Sequence, residues 1–279
     1  MTATETPATP SANPSATARD LIRQIVVISA FTFMIIGDMV GIGAFGGTPI
    51  QDAVGGAFDP DASYLTPATG AFSIWSAIYL GLLGYTIWQA LPGQRGSARQ
   101  RAMGWWIALT MVLNGGWLVT VQFAGIWATV VVLVLLLAAL CVTFVRAMRT
   151  REPHAGLVDG VLIDGTAGLH LGWATLATVA NLSAALTVSA PASWEAGASV
   201  VGVIVVVAVV VIALGLARWS EWRVAPGVAI GWGLAWLAVA RLGGDLRSTP
   251  IAVAAIAAAI VVVLVPIAVR GLRVLRPVD

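Results

Sequence analysis

The chain has 279 residues, 59% of them hydrophobic and 10% charged, where a soluble domain carries roughly 25% charged residues. With a mean hydropathy of +0.92 this excludes a soluble globular enzyme, and the lack of a basic face with interleaved aromatics excludes nucleic acid as a partner. The net charge of +2 decides little by itself, but all fifteen basic residues are arginines, and their positions carry information.

Residues 1–20 are mostly Thr, Ala, Pro, Ser and Asn and read as a disordered tail. Eight apolar runs follow, at about 21–45, 70–91, 103–124, 126–146, 160–187, 198–217, 224–242 and 250–269. Each is near the ~20 residues that a helix needs to cross a bilayer, and none alternates as a barrel strand would. The expected fold is an all-α integral membrane protein of about eight transmembrane helices. Ala124-Gly125 leaves room for only a tight hairpin between the third and fourth. The start of the fifth is interrupted by Asp159 and Asp164.

Thirteen arginines fall at the chain ends and in alternate connections, leaving only Arg241 and Arg247 on the other side. By the positive-inside rule both termini are cytoplasmic. The connection from about 46 to 69 then faces outward. It holds Asp52, Asp59 and Asp61 and no basic residue, and its length reads as a solvated linker or a lid over a binding site. The single cysteine, Cys141, cannot form an intramolecular disulfide, and no Cys/His spacing suits a metal.

Polar side chains inside apolar runs need a reason, because hydrocarbon offers them no partner. Asp38 lies toward the outer end of the first run and is read either as a proton site or as reaching the interface. Phe72, Trp75 and Tyr79 form an aromatic stripe at helical spacing on the second. The third carries Asn114 at mid-depth, then Trp117, and Asn181 is the expected partner of Asn114. The fourth, rich in Val and Leu apart from Trp127, reads as lipid-facing. On the fifth, His170, Ala174, Ala177 and Asn181 share one face and Trp173 lies on its flank. That face reads as either helix packing or ligand contact, and His170 as a packed, hydrogen-bonded residue or a ligand contact. In the seventh, Trp232 and Trp236 are one turn apart, so that helix is expected to pack inward.

Three of these patterns, in order on successive helices, resemble the TspO or translocator-protein family, whose members are also called tryptophan-rich sensory proteins. They are Pro67 eight residues before Trp75-x-x-x-Tyr79, then Asn114-x-x-Trp117, then Leu171-x-Trp173 followed by Ala177 and Asn181. The resemblance covers about residues 22–187. Leu169-His170 stands where the family usually has Pro-Tyr, and the tryptophan-rich first loop is absent. The chain is similar to the longer bacterial relatives. The implied division is a tail (1–20), a TspO-like five-helix bundle (21–190) and a three-helix extension (191–279). The resemblance further implies an internal pocket under the first loop, a porphyrin or haem as ligand with no cofactor required, a homodimer, and the inner membrane of a bacterium. Carried over by position, the candidate ligand contacts are Trp75, Tyr79, Asn114, Trp117, His170, Trp173, Ala177 and Asn181. The expected role is a non-enzymatic, tetrapyrrole-responsive sensor, regulator or carrier. The alternative is a proton-coupled transporter of a small amphipathic solute that uses Asp38.

Overall fold

The computed structural model describes residues 16–152, 156–189 and 191–275, so most of the tail read as disordered lies outside the described residues. Eight long helices account for the eight apolar runs: α1 (Ala18–Gly41), α2 (Ile74–Ala90), α3 (Ala98–Phe123), α4 (Ile126–Arg149), α5 (Thr166–Ser189), α6 (Ala198–Trp219), α7 (Ala225–Gly243) and α8 (Thr249–Leu275). All eight spans are long and apolar enough to cross a membrane. The protein is an all-α integral membrane protein.

Local chemistry sets several boundaries. Thr17 caps α1 through a reciprocal capping box with Asp20. Ser97 caps α3 by accepting from the Gln100 amide. A 3₁₀ turn, Thr69–Ser73, leads into α2 just after Pro67. The interrupted start of the fifth span is a short turn, Leu157–Asp159, running into a π-helical segment, Gly160–Gly165. Bonds from i to i+5 bring residues five apart onto one side, so Asp159 and Asp164 both reach Arg99 on α3, at 2.8 and 2.6 Å. The charges that break the apolar pattern are therefore spent on an ion-pair cluster, which Arg151 joins through Asp164.

The first five helices close into a ring in the order α1, α2, α5, α4, α3. The last three join it through α7, which packs on α5; α8 packs on α7 and α6 on α8. The expectation that helix four faces lipid holds for one side only. Because α4 sits between α3 and α5, it buries Leu133, Leu136, Leu140 and Phe144, while Trp127 stays exposed.

Small residues make these crossings close. A Cβ on Gly37 of α1 would come within 2.8 Å of the Gly115 carbonyl oxygen on α3. Helix α7 is small on two faces. Gly168 and Gly172 of α5 receive Ala225, Pro226 and Ala229 from one, while Gly227 and Gly231 on the other meet Val262 and Val263 of α8. Pro266 cannot donate to the carbonyl four residues before it. That carbonyl belongs to Val262, and Gly227 is where α7 comes against it.

At Gly172 an added Cβ would overlap the Pro226 backbone, which cannot swing aside, whereas at Gly116 it would meet open space. Gly172→Ala is expected to cost about 1–3 kcal/mol by overpacking. Gly116→Ala should be neutral or gain up to about 1 kcal/mol from helix propensity. Thermal unfolding of the two variants in detergent checks the contrast.

Candidate functional site

A cavity of about 40 Å³ lies beneath the outer connection. Ile50, Phe58, Thr66 and Pro67 line it from above, Phe72 from the start of the second span, Trp117 from α3, and Trp173, Leu176, Ala177, Ala180 and Asn181 from α5. Of the candidates carried over by position, Trp117, Trp173, Ala177 and Asn181 lie on this wall.

The others stand behind it. Trp75 packs edge-on against Trp173 with ring centres 6.0 Å apart, against His170 at 5.7 Å, and tilted over Tyr79 at 5.2 Å. Phe72 meets Trp173 edge-on at 6.0 Å. The stripe on the second span is thus one side of a continuous aromatic cluster. His170 is fully buried and lines a second, smaller cavity of about 10 Å³ with Thr110, Thr143 and Thr166. It is packed as expected, yet its Nε2 has no hydrogen-bond partner.

Asn114 does not pair with Asn181. Its Nδ2 donates to the Tyr79 hydroxyl at 3.1 Å, and Tyr79 donates to Asp38 Oδ1 at 3.3 Å. Asn181 instead meets the Thr129 hydroxyl of α4 at 3.1 Å. The long Tyr79 side chain makes the difference: it reaches from α2 past α1 to meet Asn114 across the ring and Asp38 on the way, while Asn181 is satisfied on α4, the helix beside its own.

Three residues on the main cavity wall carry N–H groups with no partner in the protein: Trp117 Nε1, Trp173 Nε1 and Asn181 Nδ2. The rest of the lining is almost wholly apolar. Unpaired buried donors cost roughly 1–3 kcal/mol each. A cavity walled by indoles and small residues, with free donors on its wall, suits a flat apolar molecule bearing acceptors on its edge.

The outer connection is folded down onto this space. Ala53, Ala57 and Phe58 are buried, and Phe58 meets Trp117 edge-on at 6.2 Å. Thr48 exchanges two hydrogen bonds with the Gln122 side chain of α3. The Trp236 carbonyl of α7 accepts from Ala68, and Trp232 Nε1 donates to the Ala71 carbonyl at 2.9 Å. Helix α7 thus packs inward through its tryptophans, onto the start of the second span. Asp61 accepts from the Leu246 amide at 3.0 Å. That bond first, then one from Asp245 and the nearby Arg241 charge, holds its carboxyl below the ordinary value of 3.8.

Sequence reading found the α3 and α5 walls and offered the outer connection as a lid, but did not name Ile50, Phe58 and Thr66 as its lining residues. The signals there were apolar residues, Ile50 and Phe58 among them, scattered without a period through a Gly-, Asp- and Pro-containing stretch. Leu176 and Ala180 were within reach, being on the same helix as Trp173 and Asn181. Among the described residues no three His, Cys, Asp or Glu side chains gather as a metal site.

Fold and cavity together define a multi-pass helical membrane protein with an internal, loop-capped space lined by indoles and an amide. A family model described as TSPO-like protein matches residues 24–268. The chain belongs to that family. The match continues through α6, α7 and most of α8, well past the 22–187 stretch that carries the motifs. No curated protein and no solved structure matches the chain.

The Asp61 contact makes the roof sensitive to acid. A carboxyl held below its unfolded-state value stabilises the fold fully above that value and loses the contribution as pH falls through the lower, folded-state one. Hydrogen-exchange protection around residues 58–64 should hold between about pH 7 and 5 and decline below about pH 4. Asp61→Asn should remove that acid step.

Proposed function

We propose that the chain is a ligand-binding membrane protein of TspO type that takes a tetrapyrrole, such as a porphyrin or haem, beneath its outer connection. The observation that carries this reading is the set of unpaired N–H donors on an otherwise apolar, indole-lined wall. In it, Trp117 and Trp173 are the flat walls, and Ala177 allows close approach. Asn181 and the indole N–H groups meet acceptors at the ligand's edge. Trp75 and Tyr79 back the wall, and Asn114 fixes Tyr79. His170 belongs to the space behind and supports the Trp75 ring.

Ligand sites commonly occupy about 300–1,000 Å³, so 40 Å³ is a closed form. A macrocycle enters only if the connection over Trp117 lifts. That closure fits a sensor, regulator or carrier, whose output is a change of shape, better than a catalyst. The arginine distribution supports cytoplasmic termini with the roof on the outer side, and the likeness to the longer bacterial relatives supports a bacterial inner membrane.

Protoporphyrin titrated into detergent-solubilised protein is expected to quench tryptophan fluorescence to saturation. Trp173→Phe and Asn181→Leu should each weaken binding about tenfold, the equivalent of one lost contact of about 1.4 kcal/mol. A flat titration of the parent protein overturns the reading.

A second reading has its own observation. Asp38 sits within α1, half-buried, and is held by Tyr79, which Asn114 holds in turn. Such a carboxyl suits a proton site in a carrier of small amphipathic solutes. Asp38→Asn would then abolish solute uptake driven by a pH gradient in proteoliposomes. Unchanged uptake removes Asp38 from that role.

A further inference from the structure

The roof over the cavity is held on both sides of the bend that covers it. Before the bend the hold is Gln122 on Thr48, from within the five-helix ring. Past the bend Ser63 donates to Ser183 of α5, and a larger hold comes from outside the ring. Arg241, near the outer end of α7, is 1% exposed and lies within the span. Its Nη2 donates to the Pro60 carbonyl and lies 3.7 Å from Asp61 Oδ1. Its Nη1 donates to the Leu246 carbonyl at 2.6 Å. The guanidinium also sits 5.9 Å from the centre of the Tyr64 ring. One planar fork thus ties the connection to both α7 and the turn before α8.

Between the two holds runs the part that covers the cavity. Val54, Gly55 and Gly56 all adopt left-handed backbone, with φ of 53°, 69° and 80°. For a β-branched residue such as Val54 that conformation is strained. Gly55 and Gly56 have nothing packed where a Cβ would be. The strained bend leads directly into Ala57, which is buried, and Phe58, which lines the cavity. A segment with a strained bend, open surroundings and two fixed ends moves as a flap if one end is let go.

We infer that Arg241 is a positioning residue for the cavity, the latch by which the last three helices hold its roof closed. The role of α6–α8 is then to present that latch. They set the height of α7 through the glycine contacts with α5 and α8, and α7 carries Arg241 to Pro60. The inference rests on the binding reading only for what lies under the roof; the latch itself is a statement about the connection.

The test uses the full-length chain in detergent with Cys141→Ala as background and Ala57→Cys as reporter, since Ala57 is 4% exposed in the closed form. The rate of labelling by a charged maleimide is expected to rise about tenfold or more in Arg241→Met. Arg241→Lys should fall between, because one ammonium cannot serve two carbonyls and a carboxylate in the same plane. Thermal melting identifies variants that fail to fold. If Arg241→Met is among them, Asp61→Asn, which loosens the same hold more gently, is expected to raise the rate severalfold. Labelling at the parent rate in folded Arg241 and Asp61 variants overturns the latch. Protoporphyrin release, measured alongside, should quicken in the same variants. If the parent binds no protoporphyrin, the ligand reading fails while the labelling rates still decide the latch.

Discussion

A polar atom surrounded by hydrocarbon must find its partner inside the protein or remain unpaired at a cost. This constraint accounts for most of what is specific in the structure. Asp38, Tyr79 and Asn114 are joined by hydrogen bonds across three helices. Arg99 gathers Asp159 and Asp164 at the arginine-rich end. Arg241 spends its charge on the roof. Once these are paired off, several of the donors left over lie on the wall of one cavity. Other buried groups, such as Trp222 Nε1, also lack a partner; what points to a ligand is that three N–H donors gather on the wall of one apolar cavity.

The second determinant is the absence of side chains at the crossings. Helices without water between them approach as closely as their smallest residues permit. Gly37 with Gly115 joins α1 to α3, and the double small face of α7 joins the ring to α8. These contacts fix the cavity as surely as its lining does, because they set the distances between the helices that carry the indoles. They also explain why the last three helices belong with the first five. Helix α7 is wedged between α5 and α8, and its tryptophans reach the segment leading into the second span.

Much of this was legible in the residues. The eight spans follow from run length alone. The placement of Trp75 beside Trp173 follows from the family resemblance, which carries both to one pocket. Where reading stopped, the reason is physical. Periodicity says which side of a helix a residue occupies but not which neighbour that side meets, so Asn114 and Asn181 were paired with each other when Tyr79 and Thr129 are their partners. A π-helical turn leaves no trace in a pattern counted at 3.6 residues per turn, and Asp159 and Asp164 therefore looked like an interruption. Arg241 was read as a minority charge on the outer side, since a count of arginines cannot tell a buried fork from an exposed one. The length of the outer connection allowed a lid, but which of its residues face the cavity was unreadable because loops have no period.

The contact between Arg241 and Pro60 joins residues 181 positions apart in the chain. At the usual pace of translation, that separation is roughly ten to forty seconds of synthesis. The five-helix ring is complete only at Ser189, late in that interval, and from then until Arg241 arrives the segment above its central space is held by α3 and α5 alone. The nascent ring is thus open at the top until the ribosome has delivered α7, and it shuts last. Any molecule small enough to settle there during assembly would be enclosed by the arrival of the final helices rather than having to force its way in.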